Sequence, residues 1–364
     1  MSIIVSKEVS IELDGKMVKV PEGITVKRAL EISGYKVTKY PEKGSLFAPC
    51  EVGGCWSCAV EVDNEPKPAC ITHVKKGLRI NAELPQDYSP KRIVHGFSGH
   101  TVGGVGTPYW LKGSHGYIEA ACFAAGCNLR CPQCQNWETT YTGKGKLLTP
   151  REAAELMTAA RRKVGVDRMA ISGGESTLNR RWLVEYVNVL KGLNPDPNAR
   201  IHVDTNATIL TRDYIDKLVD AGTTDIGPDL KGYYPETFMR ITGVEDKGIA
   251  DRYLNTAWEA VQYLIERYKD SVFTGVGIPY NKELITTQEI GLMGERLYEI
   301  DPEIQVCVLD YRPEFKRPDL VKPHFNEMVE IHKILTSKGL KTVICQTEYG
   351  HIGPELETSG TPLK

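Results

Sequence analysis

The sequence has no marked excess of charge and no long hydrophobic run. Its 45 basic and 47 acidic residues give a formal net charge of −2, which argues against binding of nucleic acid through bulk charge. No apolar stretch approaches the roughly 18 residues of a membrane-spanning helix, and the N-terminus lacks the cationic and apolar regions of a secretory signal. We therefore expect a cytoplasmic protein without a membrane or nucleic-acid partner.

Cysteine, by contrast, is abundant. The chain has ten cysteines, and a cytoplasmic compartment keeps thiols reduced, so disulfides do not readily explain them. The first group is Cys50, Cys55, Cys58 and Cys70, the second is Cys122, Cys127, Cys131 and Cys134, and Cys307 and Cys345 lie apart. Tight groups of thiols in a reducing compartment indicate metal sites.

The first 85 residues are predicted to form a small α+β domain. Residues 9–20 alternate loosely around Asp14-Gly15, a pattern typical of a β-hairpin. A short helix over 26–33 and a strand over 59–62 follow. The 364 residues leave room for a second domain.

Residues 86–113 differ in character from the segments on either side. They combine several glycines and prolines with a basic Lys91-Arg92 pair. We interpret them as a linker or docking segment between domains at 1–85 and 114–364.

From residue 114 onward, predicted strands alternate with predicted helices. The strands are 117–123, 168–172, 201–205, 225–229, 272–278, 305–310 and 341–345, and the helices are 150–164, 179–193, 211–221, 249–268, 286–299 and 322–338. Repeated strand–helix units predict an α/β fold with a parallel sheet, either a barrel or a doubly wound sheet. In both folds the chemistry lies at the C-terminal ends of the strands.

The second cysteine group follows the first of these strands. Cys127, Cys131 and Cys134 are spaced as CxxxCxxC. A structural zinc site needs four ligands, whereas three thiolates on a [4Fe-4S] cluster leave one iron open. A structural zinc or a fortuitous thiol group is the alternative. Cys122, Cys307 and Cys345 lie in predicted strands and are interpreted as buried core thiols.

Three further motifs follow the next strands in order. They are Gly173-Gly174-Glu175, Asp204-Thr205-Asn206 and Asp229-Leu230-Lys231. With CxxxCxxC, this set over about 114–345 resembles the radical S-adenosylmethionine (SAM) superfamily, and the DLK pattern resembles the branch of the pyruvate formate-lyase activating enzymes. The resemblance implies a partial (β/α)6 barrel.

The resemblance also implies roles for individual residues. Cys127, Cys131 and Cys134 are the catalytic residues and hold the [4Fe-4S] cluster. Residues expected to contact SAM are Gly173, Gly174, Glu175, Asp204, Thr205, Asn206, Asp229 and Lys231. The family usually has an aromatic residue before the third cysteine, where this sequence has Gln133; we expect Gln133 and Trp137 to contact the cofactor there.

The first cysteine group has the C-x4-C-x2-C…C spacing of plant-type [2Fe-2S] proteins. With the preceding hairpin, it resembles ferredoxin-like (β-grasp) domains, in particular the N-terminal domain of succinate dehydrogenase iron–sulfur subunits. The resemblance implies a [2Fe-2S] cluster on Cys50, Cys55, Cys58 and Cys70. A zinc knuckle is the alternative.

Together these features predict a radical SAM enzyme of an anaerobic cytoplasm. It would cleave SAM to a 5′-deoxyadenosyl radical and abstract hydrogen from a carbon of a protein or peptide, in glycyl-radical activation or another modification. The [2Fe-2S] domain would supply or relay electrons from a small donor of ferredoxin or flavodoxin type. Two alternatives stay open: a cobalamin-dependent C-methyltransferase acting on a protein, and a non-catalytic electron carrier.

Overall fold

The computed structural model describes residues 7–112 and 116–355 and the backbone of 358–359. A five-stranded sheet of order β2-β1-β7-β5-β6 organises the N-terminal part. The elements of this part of the chain are β1 (Glu8–Leu13), β2 (Lys16–Pro21), α1 (Val26–Ile32), β3 (Val37–Thr38), β4 (Leu46–Phe47), β5 (Ala59–Val62), β6 (Glu65–Pro68) and β7 (Arg79–Asn81). Strands β3 and β4 pair with each other in a separate two-stranded sheet. The predicted hairpin is confirmed, because Asp14 and Gly15 turn between β1 and β2 with φ of 45° and 77°.

An eleven-stranded sheet organises the rest of the chain. Its strands are β8 (Arg92–His100), β9 (Glu119–Ala124), β10 (Lys146–Leu148), β11 (Arg168–Gly173), β12 (Arg200–Thr205), β13 (Asp225–Pro228), β14 (Phe273–Tyr280), β15 (Gln305–Asp310), β16 (Thr342–Thr347), β17 (Gly350–Ile352) and β18 (Thr358–Ser359). The strand order is β10-β8-β9-β11-β12-β13-β14-β15-β16-β17-β18. Pairing is parallel from β9 through β16 and antiparallel at both edges.

Helices connect the parallel strands. They are α2 (Trp137–Thr140), α3 (Pro150–Val164), α4 (Arg180–Leu193), α5 (Arg212–Ala221), α6 (Pro235–Thr242), α7 (Lys247–Tyr268), α8 (Thr287–Ile300) and α9 (Phe325–Ser337). The helix α3 shows why they form where predicted: Thr149 and Glu152 make a capping box, and Gly165 ends the helix with φ of 70°. The fold is the expected partial (β/α)6 barrel preceded by a small ferredoxin-like α+β domain.

The segment interpreted as a linker is partly integral to the barrel. Residues 92–100 form β8, which pairs with β9 and β10. Residues 103–109 then enter the barrel at the N-terminal ends of its strands, where Gln305 on β15 donates to the carbonyls of Val105 and Thr107. We call residues 103–109 the floor segment. The domain boundaries at residues 85 and 113 stay a prediction.

The glycines of the floor segment allow it to pack against β12, and the same glycines made it look like a flexible linker in the sequence. A methyl group at Gly106 would lie 2.6 Å from Nε2 of His202, and one at Gly104 would collide with the carboxylate of Asp204. Because side chains would not fit between the floor segment and β12, the glycine content that suggests flexibility here permits close packing instead.

Among the described residues, no helix is both long and apolar enough to cross a membrane.

Candidate active site

The three cysteines of CxxxCxxC lie in the loop after β9, at the C-terminal end of the barrel. Hydrogen bonds hold this loop: Leu129 N donates to Sγ of Cys127 at 3.3 Å, and Tyr141 Oη donates to the carbonyl of Cys131 at 3.1 Å. Burial raises the pKa of the Cys131 thiol to about 12 and that of Cys127 also above its ordinary value. Metal binding requires the thiolate, so a positively charged iron cluster would have to offset this cost.

The glycines of the Gly173-Gly174-Glu175 motif let the loop after β11 pack on the cysteine loop. A methyl group at either glycine would collide with backbone, at Ala124 for Gly173 and at Gly126 for Gly174. In return, Glu175 N donates to the carbonyl of Gly126 at 2.9 Å. The two loops therefore meet backbone to backbone.

The carboxylate of Glu175 is buried and bonded unevenly. Its Oε1 accepts from the Thr177 amide, the Thr177 hydroxyl and the Thr205 hydroxyl, at 2.6–2.9 Å. Among the described residues, its Oε2 accepts from the backbone amide of Asn206 alone, at 2.6 Å. With one donor against three on Oε1, Oε2 is the oxygen with room for a ligand.

A second charged group lies at the ends of β13 and β15. The Lys231 ammonium is 3.2 Å from Oδ2 of Asp229 and 3.1 Å from the hydroxyl of Tyr311. Burial works against the charge of Lys231, but Asp229, Tyr311 and Cys131 together outweigh it and hold the pKa of the lysine well above its ordinary value. Burial raises the pKa of Tyr311 to about 12. Lys231 is therefore a fixed cation and Tyr311 a neutral hydroxyl.

These loops enclose a cavity of about 180 Å³. Of the residues expected to contact SAM or the cluster, the cavity is lined by Cys127, Cys131, Cys134, Gly173, Gly174, Glu175, Asp204, Thr205, Asn206, Asp229 and Lys231. Gln133 and Trp137 are not among its lining residues: Gln133 donates to the carbonyl of Ile241 at 2.7 Å, and Trp137 stacks on Phe315. Sequence reasoning missed Tyr311, because one tyrosine after a strand is no motif.

The first cysteine group is also gathered into one buried cluster. The four side chains lie close enough to affect one another: Cys55 and Cys70 hold the pKa of the Cys50 thiol below its ordinary value, and Cys70 does the same for Cys58. Within 7–112 and 116–355, no three His, Cys, Asp or Glu side chains surround the position of one metal ion. An iron–sulfur cluster distributes its thiolates over several irons, so the four thiols fit a [2Fe-2S] cluster as a donor set.

The two cysteine loops are in direct contact. A methyl group at Gly126 would lie 2.9 Å from Cβ and 3.1 Å from Sγ of Cys50, and one at Gly54 would lie 2.7 Å from the carbonyl carbon of Ala125. Arg130 bridges the loops, because its guanidinium donates to the carbonyl of Cys50 and, at 2.7 Å, to that of Cys127. Gly126 directly precedes Cys127, so Cys50 of the first group contacts the residue next to a cysteine of the second group.

Beneath the cavity, a buried histidine supports one of the site carboxylates. His202 Nε2 is 3.0 Å from Oδ1 of Asp204, and its Nδ1 is 3.4 Å from Oε2 of Glu119. Burial opposes the charge of His202, but the two carboxylates outweigh it and raise the pKa of the histidine to about 9. The protonated histidine in turn holds the pKa of Asp204 below its ordinary value against the effect of burial.

This arrangement predicts a pH-dependent stability. The pKa of His202 is about 9 in the folded protein, and its ordinary value is 6.5. The contribution of His202 to the free energy of unfolding is therefore complete below pH 6.5 and is lost as the pH rises through 9. The shift corresponds to at most about 3 kcal/mol. Chemical denaturation between pH 6.5 and 9.5 measures the free energy of unfolding at each pH. We expect the His202→Gln variant to lack the decrease that the wild type shows over this range.

A second buried histidine provides the control for this prediction. Burial lowers the pKa of His351 to about 4, so it is neutral throughout the same range. His351→Gln should therefore keep the pH dependence of the wild type. Equal slopes for the wild type and His202→Gln would contradict the charged state of His202.

Two family models match the chain. The radical SAM superfamily matches residues 122–287, and the 2Fe-2S iron-sulfur cluster binding domain matches residues 6–84. The chain therefore contains a radical SAM domain and a [2Fe-2S] domain. The first domain implies SAM and a [4Fe-4S] cluster as cofactors, and the second implies a [2Fe-2S] cluster.

Curated relatives match shorter segments. A probable GTP 3′,8-cyclase of Methanococcus aeolicus is 35% identical over 117 residues, which are 32% of this chain and 38% of that protein. The mitochondrial NADH dehydrogenase (ubiquinone) iron-sulfur protein 1 of Solanum tuberosum is 33% identical over 79 residues, 21% of this chain and 10% of that protein. The chain thus spans less than two-fifths of the length of these relatives. The matches do not support the resemblance to the pyruvate formate-lyase activating enzymes.

Among solved structures, Streptococcus suis SuiB bound to the precursor peptide SuiA is similar over 60% of this chain and 45% of that chain, with 16% identity and a TM-score of 0.44. A likeness at this level concerns the fold and carries no argument about substrate.

Proposed function

We propose that the chain cleaves SAM reductively at Cys127, Cys131 and Cys134 and receives the electron from its own [2Fe-2S] site. The contact between Cys50 and Gly126 carries this proposal, because it leaves almost no protein between the two sets of ligands. These three cysteines would hold a [4Fe-4S] cluster, which would supply one electron to the sulfonium of SAM, giving methionine and a 5′-deoxyadenosyl radical able to abstract hydrogen from a substrate carbon.

The residues of the cavity have separate tasks in this proposal. Glu175 accepts the ammonium of SAM through the free position on Oε2, a charge-assisted hydrogen bond. Lys231 lies where it can pair with the SAM carboxylate, and its contacts with Asp229 and Tyr311 limit its movement. These fixed groups orient the sulfonium toward the cysteine loop, and orientation of this kind lowers the barrier of a bound reaction.

For the substrate, the charge of the cavity favours a protein or peptide group over a nucleoside triphosphate. Of the described residues that line the cavity, Lys231 is the one cation, and Glu175, Asp204 and Asp229 are anions. Once Lys231 and Glu175 are engaged by SAM, the described lining offers a triphosphate no further cation, which disfavours its binding. A neutral or cationic side chain needs no such cation.

GTP cyclisation is the second candidate. It rests on the identity of 35% over 117 residues to the probable GTP 3′,8-cyclase. That segment is about a third of either chain and does not by itself carry the substrate with it.

One anaerobic assay separates these possibilities. Chain reconstituted with iron and sulfide is incubated with SAM and dithionite, with and without GTP, and products are identified by mass spectrometry. We expect 5′-deoxyadenosine in both mixtures and unchanged GTP. Consumption of GTP would instead support the cyclase. Formation of S-adenosylhomocysteine without 5′-deoxyadenosine would support the methyltransferase. Absence of any product from SAM would support a non-catalytic electron carrier.

A further inference from the structure

Arg92 is a fully buried cation at the junction of the two cysteine loops. It is the first residue of β8, and its side chain is wholly inaccessible to solvent. The neighbouring Ile93 joins both loops, because its amide donates to the carbonyl of Gly54 at 3.1 Å and its carbonyl accepts from Ala125 N at 2.9 Å. The backbone of β8 thus fixes Arg92 between the [2Fe-2S] loop and the barrel.

The guanidinium of Arg92 is bonded to carbonyls alone. It donates to the backbone carbonyls of Glu175 and Ser176 and, at 3.4 Å, to that of Ala125. Within residues 7–112 and 116–355, its Nε finds no hydrogen-bond partner. In the described part of the chain, no carboxylate oxygen lies within 4 Å of this guanidinium.

Arg168 shows what a buried arginine ordinarily requires. Its side chain is 4% exposed, and carboxylate oxygens of Asp225 and Glu119 lie 2.9 Å and 3.8 Å away. A buried charge without such an anion is strongly unfavourable. The absence of a paired carboxylate at Arg92 therefore points to an anion supplied by a bound group.

Backbone contacts on both sides of Arg92 place it beside the [2Fe-2S] loop. Ile93 N donates to the carbonyl of Gly54 at 3.1 Å, and the side-chain amide of Asn179 donates to the carbonyls of both Cys55 and Lys91, at 3.0 Å and 3.2 Å.

Burial lowers the pKa of Arg92, and the charges of Cys55, Glu175, Tyr214 and Cys50 oppose this effect. Two of these four groups are ligands proposed for the [2Fe-2S] cluster. With four thiolates, such a cluster is anionic in both oxidation states, and its charge becomes more negative by one on reduction.

We propose that Arg92 is the counter-cation of the [2Fe-2S] site and raises its reduction potential, so that the site accepts an electron from an external donor. The inference rests on the proposed assignment of Cys50, Cys55, Cys58 and Cys70 as cluster ligands. Arg92 is a positioning residue, because it acts through the cluster rather than on a substrate. Net charge near an iron–sulfur cluster is one of the factors that set its potential.

The test is a redox titration of the reconstituted full chain, followed by the EPR signal of the reduced [2Fe-2S] cluster. Arg92→Gln removes the charge but keeps an amide donor for the carbonyls, and Arg92→Lys keeps the charge. We expect Arg92→Gln to lower the equilibrium constant for one-electron reduction about tenfold, which is about 59 mV. We expect Arg92→Lys to stay close to the wild type.

Arg161 provides the matched control. It is largely buried and pairs with Asp196 at 2.6 Å, on α3 rather than beside the cysteine loops. Arg161→Gln should leave the potential unchanged. The proposal is overturned if Arg92→Gln keeps the wild-type potential, or if Arg92→Lys shifts it as much as Arg92→Gln does.

Thermal unfolding keeps the proposal falsifiable if the titration of Arg92→Gln is prevented by weak cluster binding. Because the cluster compensates the charge of Arg92, the loss of Tm caused by Arg92→Gln should be larger with iron than in iron-free chain. Equal losses would show a purely structural role. Neither measurement uses SAM, so a chain that fails to cleave SAM would overturn the proposed function without deciding the role of Arg92.

Discussion

Replacing Cys127 by alanine is expected to abolish formation of 5′-deoxyadenosine while the [2Fe-2S] site stays loaded. Cys127 lines the cavity, and two donors approach its sulfur: the backbone N of Leu129 at 3.3 Å and the side-chain amide of Asn206 at 3.6 Å. Loss of one of three thiolates removes the [4Fe-4S] cluster, so iron should fall from about six to about two atoms per chain. Iron analysis, EPR and product chromatography on one preparation measure all three quantities.

Cys122 is the control for this substitution. It lies five residues earlier and is also fully buried, but its sulfur contacts Tyr186 on the helical side of β9. Cys122→Ala removes a buried thiol of the same size and should keep both iron content and activity. If Cys122→Ala were equally inactive, the loss would reflect the fold of β9; if Cys127→Ala kept about six irons, the ligand assignment would be wrong.

The second large effect is expected at Gly126, where alanine should separate the two sites. Gly126 has φ of +84°, and its methyl group would lie 2.9 Å from Cβ of Cys50. The left-handed backbone costs an L-residue about 1–2 kcal/mol, and overpacking costs a further ~1–3 kcal/mol. We expect a lower Tm and a weaker spin–spin interaction between the two reduced clusters in EPR spectra.

The variant Gly23→Ala is the control that distinguishes the backbone cost from the cost of overpacking. Gly23 has nearly the same φ, +81°, and nothing within 4 Å of the position a methyl group would take. Gly23→Ala should therefore show the backbone penalty alone and keep the interaction between the clusters. If Gly126→Ala matched Gly23→Ala in both measurements, the close contact at Cys50 would have no role in coupling the sites.

Most of the barrel could be predicted from the sequence because its strands and helices have strong local signals. The helix α3 has a capping box at Thr149 and a glycine at its end, and it was predicted with the bounds that it has in the structure. The helix α6 was missed although Pro235 begins it and Gly243 ends it, because its eight residues make it shorter than a typical helix.

Within the site, motifs located the residues but not all of their contacts. Ordered strand-end motifs brought the cysteines, Glu175 and Lys231 into one cavity, because parallel strands end at the same edge of a sheet. The orientation of Gln133 depends on the carbonyl of Ile241, more than one hundred residues away. No local pattern encodes such a tertiary contact, and the same holds for Arg92 and Tyr311.

The floor segment has a consequence for how this chain can be divided. Strand β8 and residues 103–109 precede the radical SAM match at residues 122–287, yet Gln305 and His202 of the barrel pack on them. A fragment that began at residue 114 would open the barrel to water from below and expose a sheet edge at β9. The radical SAM domain is thus not an autonomous module to which the [2Fe-2S] domain has been added: its base is built from the chain that connects the two.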